Sequence, residues 1–106
     1  KNSLPQALDG STIVAISTAP GAGGIAVVRI SGPDAFRLGS AVFSKTIGAE
    51  DERKVVFGRI LSETGEMIDE GLALVLCGPR SYTGEDTIEF NIHGSTFIQS
   101  EVVRLL

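Results

Sequence analysis

Two Gly- and Pro-rich loops, each running straight into a β-like segment that carries one conspicuous charge, constrain this chain more than any other feature. The first is Ala19-Pro20-Gly21-Ala22-Gly23-Gly24, followed by Ile25-Ala26-Val27-Val28-Arg29-Ile30-Ser31. The second spans Gly78 to Asp86 and leads into Thr87-Ile88-Glu89-Phe90-Asn91-Ile92-His93. Alternating segments bounded by turn residues predict strands. Arg29 shares a side with Ile25 and Val27, while Ala26, Val28 and Ile30 take the other. In the later strand Ile88, Phe90 and Ile92 face one way and Thr87, Glu89, Asn91 and His93 the opposite way. A charge on a strand needs a wet face, an opposite charge or a ligand. Arg29 therefore reads either as an ion-paired or snorkelling residue or as part of a site. The polar face around Glu89 reads either as solvated surface or as a ligand platform. A carboxylate on such a platform suits a ligand with adjacent N–H donors, such as an aminopyrimidinone, because it accepts two hydrogen bonds at once.

The remaining elements follow from pattern. Thr12 to Thr18 is β-branched and apolar, a strand. Ser31-Gly32-Pro33-Asp34 opens a helix, whose apolar face is Ala35, Leu38, Gly39, Val42 and Phe43. Ile47 to Arg53 reads as a polar loop and Lys54 to Leu61 as a strand. Glu63-Thr64-Gly65-Glu66 is a hairpin turn, with Gly65 supplying a positive φ. The next strand is strongest over Gly71 to Leu76. A last helix starts near Ser95 or Thr96, where Thr96 and Gln99 could form a capping box. Its stripe is Ile98, Val102, Leu105 and Leu106. The order β-β-α-β-β-β-α predicts an α+β fold, a mixed five-stranded sheet with helices on one face. Residues 1–11 read as a flexible leader and 12–106 as one domain. The chain stops inside the last apolar stripe, as expected of a C-terminally truncated fragment.

The 106 residues, 42% of them hydrophobic, are enough for one real core. A net charge of −4 makes the chain a poor stand-alone binder of nucleic acid. There is no apolar run of the roughly 20 residues a membrane span needs, and Lys1 to Gly10 lacks the apolar segment of a signal peptide. The single Cys77 forms no internal disulfide, which fits a cytoplasmic protein, and reads as a packed strand-end residue. Gly21-Ala22-Gly23-Gly24-Ile25-Ala26 matches the G-x-G-x-x-A dinucleotide pattern, but that fingerprint must open a helix, whereas these glycines open a β-branched run. His93 is the only histidine and has no partners at metal-ligand spacing. Asp69-Glu70 reads as a solvated acidic pair. No complete catalytic constellation is legible.

Several of these segments occur in a familiar succession. Thr12-Ile13-Val14-Ala15, residues 19–25, Val28-Arg29-Ile30-Ser31-Gly32-Pro33, Asp69-Glu70-Gly71-Leu72-Ala73, Gly78-Pro79-Arg80-Ser81-Tyr82-Thr83-Gly84-Glu85-Asp86, Glu89 and His93-Gly94 follow in that order. The chain resembles the N-terminal domain of the MnmE (TrmE) family of tRNA-modification GTPases from Thr12 to Leu106. The Gly-Pro-x-Ser-Tyr-Thr-Gly-Glu-Asp run is the most specific part of the match.

This resemblance implies a tetrahydrofolate-binding domain, related in fold to folate-binding aminomethyltransferases, that forms a homodimer. The ligand would be a 5-formyl or methylene tetrahydrofolate, the source of a one-carbon unit. Carried over by position, the folate contacts fall on Arg29 and Glu89, with Gly21, Ala22, Gly23 and Gly24 lining the pocket. No residue is implied as catalytic. Glu89 would hold the aminopyrimidinone edge and Arg29 a carbonyl or carboxylate of the ligand. The resemblance further implies a parent that hydrolyses GTP with potassium and Mg²⁺ in a separate G domain. That parent would act with the FAD-containing MnmG on the wobble uridine of tRNA, reaching tRNA through the full complex. Two departures stand out: Ala22 where the family usually has Arg or Lys, and Ser95 where a second Gly is common. The competing expectations are a module that only dimerises and a stand-alone one-carbon transferase.

Overall fold

A computed structural model describes residues 11–16, 24–78, 84–93 and 96–106. Along them run β1 (Ile13–Ile16), β2 (Ile25–Ser31), α1 (Ala35–Val42), a 3₁₀ turn (Ala49–Asp51), β3 (Val55–Leu61), β4 (Met67–Leu76), β5 (Thr87–His93) and α2 (Thr96–Leu105). The order is the expected one, and β2 and β5 have the expected bounds. β4 begins earlier than its apolar core predicts, at Met67. The 3₁₀ turn sits inside the polar loop, where the Gly48 amide donates to Asp51 Oδ2 at 3.1 Å.

The strands form one sheet in the order β1-β2-β5-β4-β3. Every pairing is antiparallel. This corrects the mixed sheet predicted from element order. The connections 17–24, 62–66 and 77–86 join sheet neighbours and are too short for a parallel crossover, which takes a dozen or more residues. β5 then slots between β2 and β4, so the strand that carries Glu89 lies at the sheet centre.

One face of the sheet holds the core. Ala26, Val28, Ile30, Ile60, Ala73, Val75, Ile88, Phe90 and Ile92 are buried there. The same cluster takes in Ala35 and Val42 of α1, Phe43 just after it, and Val102 of α2, so both helices cover this face. The Phe43 and Phe90 rings pack at 5.3 Å between centroids, tilted by 39°. Burial of side chains this size stabilises by about 1.5–3 kcal/mol each.

Two glycines are dictated by close approach. Gly32, at φ +143°, turns the chain from β2 into α1, and a Cβ there would lie 2.5 Å from Thr12 Cα. Thr12 Oγ1 meanwhile accepts from the Asp34 amide at 2.9 Å. Asp34 is the N-cap of α1 but its side chain makes no capping bond. Gly71 of β4 lies against β5, where a Cβ would come 2.5 Å from the Asn91 carbonyl oxygen.

The opposite face has no helix packed on it among the described residues. It carries Arg29, Glu89, Asn91 and His93, and it leaves Ile25, Val55, Phe57 and Leu72 exposed. Phe57 and Leu72 are cross-strand partners. No helix of the described residues is long and apolar enough to cross a membrane.

Candidate functional site

β2 and β5 are neighbours in a register that sets Arg29 directly opposite Glu89. The sequence alone left Arg29 open between an ion pair and a site. The structure makes the ion pair: Arg29 Nε donates to Glu89 Oε2 at 2.8 Å and Nη2 donates to the same oxygen at 2.5 Å. The two side chains are only 23% and 17% exposed. Opposite charges facing each other across strands stabilise a pair, and partial removal from water strengthens the attraction. Both arginine donors converge on Oε2. A carboxylate offers about four lone-pair positions, and among the described residues nothing donates to Glu89 Oε1.

On one side of this pair the open face is closed off. Ser31 and Thr87, the next cross-strand pair, are buried. Thr87 Oγ1 donates to the Glu85 carbonyl at 3.0 Å, and Ser31 Oγ donates to Glu85 Oε1 at 3.2 Å. Asp86 completes the tie: its carboxylate accepts from the Gly78 amide at 3.1 Å and its carbonyl from the Gly32 amide at 3.0 Å. The acidic end of the Gly78–Asp86 run therefore pins both ends of its own loop to the sheet. Residues 79–83 lie outside the described residues.

On the other side the face stays open. A shallow depression of about 190 Å³ is lined by Gly24, Ile25, Glu70, Leu72, Asn91 and His93, with Ile92 contributing behind them. Gly24, the last residue of the glycine loop, thus reaches a concave surface. Arg29 and Glu89 are not in its lining, but Glu89 continues the row of Asn91 and His93 on β5 and Arg29 the row of Ile25 on β2. Gly21, Ala22 and Gly23 lie outside the described residues. The glycines do open a strand, β2, and not a helix, so the dinucleotide pattern lacks its structural context.

One constellation was not read from the sequence. Asp69 is not part of a solvated acidic pair: it is buried, 9% exposed at its side chain, while Glu70 faces solvent. Asp69 Oδ2 accepts from the His93 backbone amide at 2.9 Å, and Oδ1 lies 2.6 Å from His93 Nδ1. The cause is a change of pairing. β4 and β5 are matched up to Leu72 and Asn91; beyond that point the Asp69 carboxylate replaces the missing backbone acceptor. A signal was available, because Asp69 is in step with Ala73 and Val75, on the buried side of β4. A carboxylate in that register needs donors. Cys77 is half-buried at the end of β4, in line with a strand-end packing role.

Fold and site together define an α+β domain in which one face of an antiparallel sheet is covered by helices and the other carries a half-buried ion pair and an adjoining groove. Residues 12–106 match the family model described as GTP-binding protein TrmE N-terminus, and the chain belongs to that family. Among curated relatives it is 46% identical over 101 residues to the tRNA modification GTPase MnmE of Parabacteroides distasonis, covering 91% of this chain and 22% of that protein. It is 46% identical over 99 residues to MnmE of Flavobacterium johnsoniae, covering 90% of this chain and 21% of that protein. It is 39% identical over 97 residues to MnmE of Protochlamydia amoebophila, with 92% and 21% covered. The chain thus spans about a fifth of the length of these relatives.

Proposed function

We propose that this chain is the tetrahydrofolate-binding and homodimerisation domain of a cytoplasmic tRNA-modification GTPase. The observation that carries the reading is the Arg29–Glu89 pair, half-buried on the face without helices. Arg29 orients the Glu89 carboxylate and occupies Oε2. Oε1 is left for a ligand N–H, so the aminopyrimidinone edge of a reduced folate has an acceptor held by two rigid strands. Such a ligand supplies a one-carbon unit at the 5-formyl or methylene level. The names of the relatives support a wider role in GTP hydrolysis and tRNA modification; in our reading a separate G domain hydrolyses GTP with potassium and Mg²⁺. The whole protein would act with an FAD-containing partner, MnmG, on the wobble uridine of tRNA, installing a carboxymethylaminomethyl group. With its charge of −4 this domain should bind tRNA negligibly by itself.

Calorimetric titration with 5-formyltetrahydrofolate tests the reading. Wild type should bind. Glu89→Gln should weaken binding roughly ten- to a hundredfold, the loss expected of one charge-assisted hydrogen bond, with circular dichroism unchanged. Equal affinity of variant and parent would reduce Glu89 to a structural strand residue.

The rival, a module that only dimerises, draws on the exposed Val55, Phe57 and Leu72. Sedimentation at micromolar concentration should give a dimer. A dimer with no folate affinity would favour that rival.

A further inference from the structure

We draw no further inference here: the strongest candidate, the exposed apolar strip formed by Val55 and Phe57 on the edge strand β3 and by Leu72 opposite Phe57 on β4, has nothing in the structure to show what covers it.

Discussion

The two faces of the sheet are made by alternate residues of the same strands, yet they differ in kind. On the covered face Val28, Ile30, Ile88 and Phe90 are fully buried and pack against α1 and α2. One residue along the same backbones, on the other face, stand Arg29 and Glu89, paired and half-buried, then Asn91 and His93 beside an open groove. A strand places successive side chains on opposite faces, so one segment can serve stability with its even positions and recognition with its odd ones. Substitutions on the two faces should therefore separate: one set should cost folding free energy, the other ligand affinity.

The largest effect should come from Phe90→Ala, which removes a buried ring at the centre of the covered face. Chemical denaturation should show a loss of about 3–5 kcal/mol. A loss under about 1 kcal/mol would break the division of roles at its strongest point.

Asp69 tests the boundary between the faces. Its register is that of the covered face, but it fixes a residue on the open one. Asp69→Asn should destabilise by about 1.5–3 kcal/mol, because a buried charge-assisted acceptor for two His93 donors is lost. His93→Ala should cost clearly less, since its ring is largely exposed and its amide still meets Asp69. Equal losses would mean that the imidazole contact, not the backbone amide, is what Asp69 serves in folding.

The ion pair should sit lower still in folding energy. Arg29→Ala should cost about 1 kcal/mol, the scale of a cross-strand pair that is mostly withdrawn from water, while ligand affinity falls with it. A double-mutant cycle with Glu89→Ala should return a coupling of the same order. Coupling near zero would mean that the two side chains contribute independently.

The smallest effect concerns the hairpin turn between β3 and β4, remote from both roles. Glu63 is exposed, and its carboxyl is held below 4.5, first by a hydrogen bond to its own backbone and then by Arg104, whose guanidinium lies 3.3 Å away. Arg104 is in turn raised, chiefly by its hydrogen bond to Glu101 and then by Glu63. Because the folded form favours the ionised carboxylate, the contribution of Glu63 is fully present above 4.5 and is lost as pH falls through the lowered value. The stability gap between wild type and Glu63→Gln should close at acid pH. A gap that persists there would show that ionisation is not its source.

Much of this was legible in advance. The β-branched run Ile25–Ser31 after its glycines and the alternation in Thr87–His93 located β2 and β5 to the residue, and Gly65 does take a positive φ of 88° in its turn. Arg29 and Glu89 stood out because charges on β-branched strands need a reason. What the pattern left open was whether they meet, since register between strands far apart in sequence is not written locally. Asp69 was misread for a related reason. Beside Glu70 it looks like a surface pair, and only the end of the β4–β5 ladder shows why a buried carboxylate is required there. The expected cap between Thr96 and Gln99 falls on side chains outside those described.

By itself the sequence determined the element order, the apolar face of each strand and the residues that carry charge into the sheet, because these follow from side-chain periodicity and turn chemistry along a short stretch of chain. Tertiary structure decided that the sheet is antiparallel throughout, that Arg29 faces Glu89 across sixty residues of chain, and that Asp69 holds His93. Each of these depends on which strands become neighbours and in what register, a choice made by packing the whole core and not by any one segment.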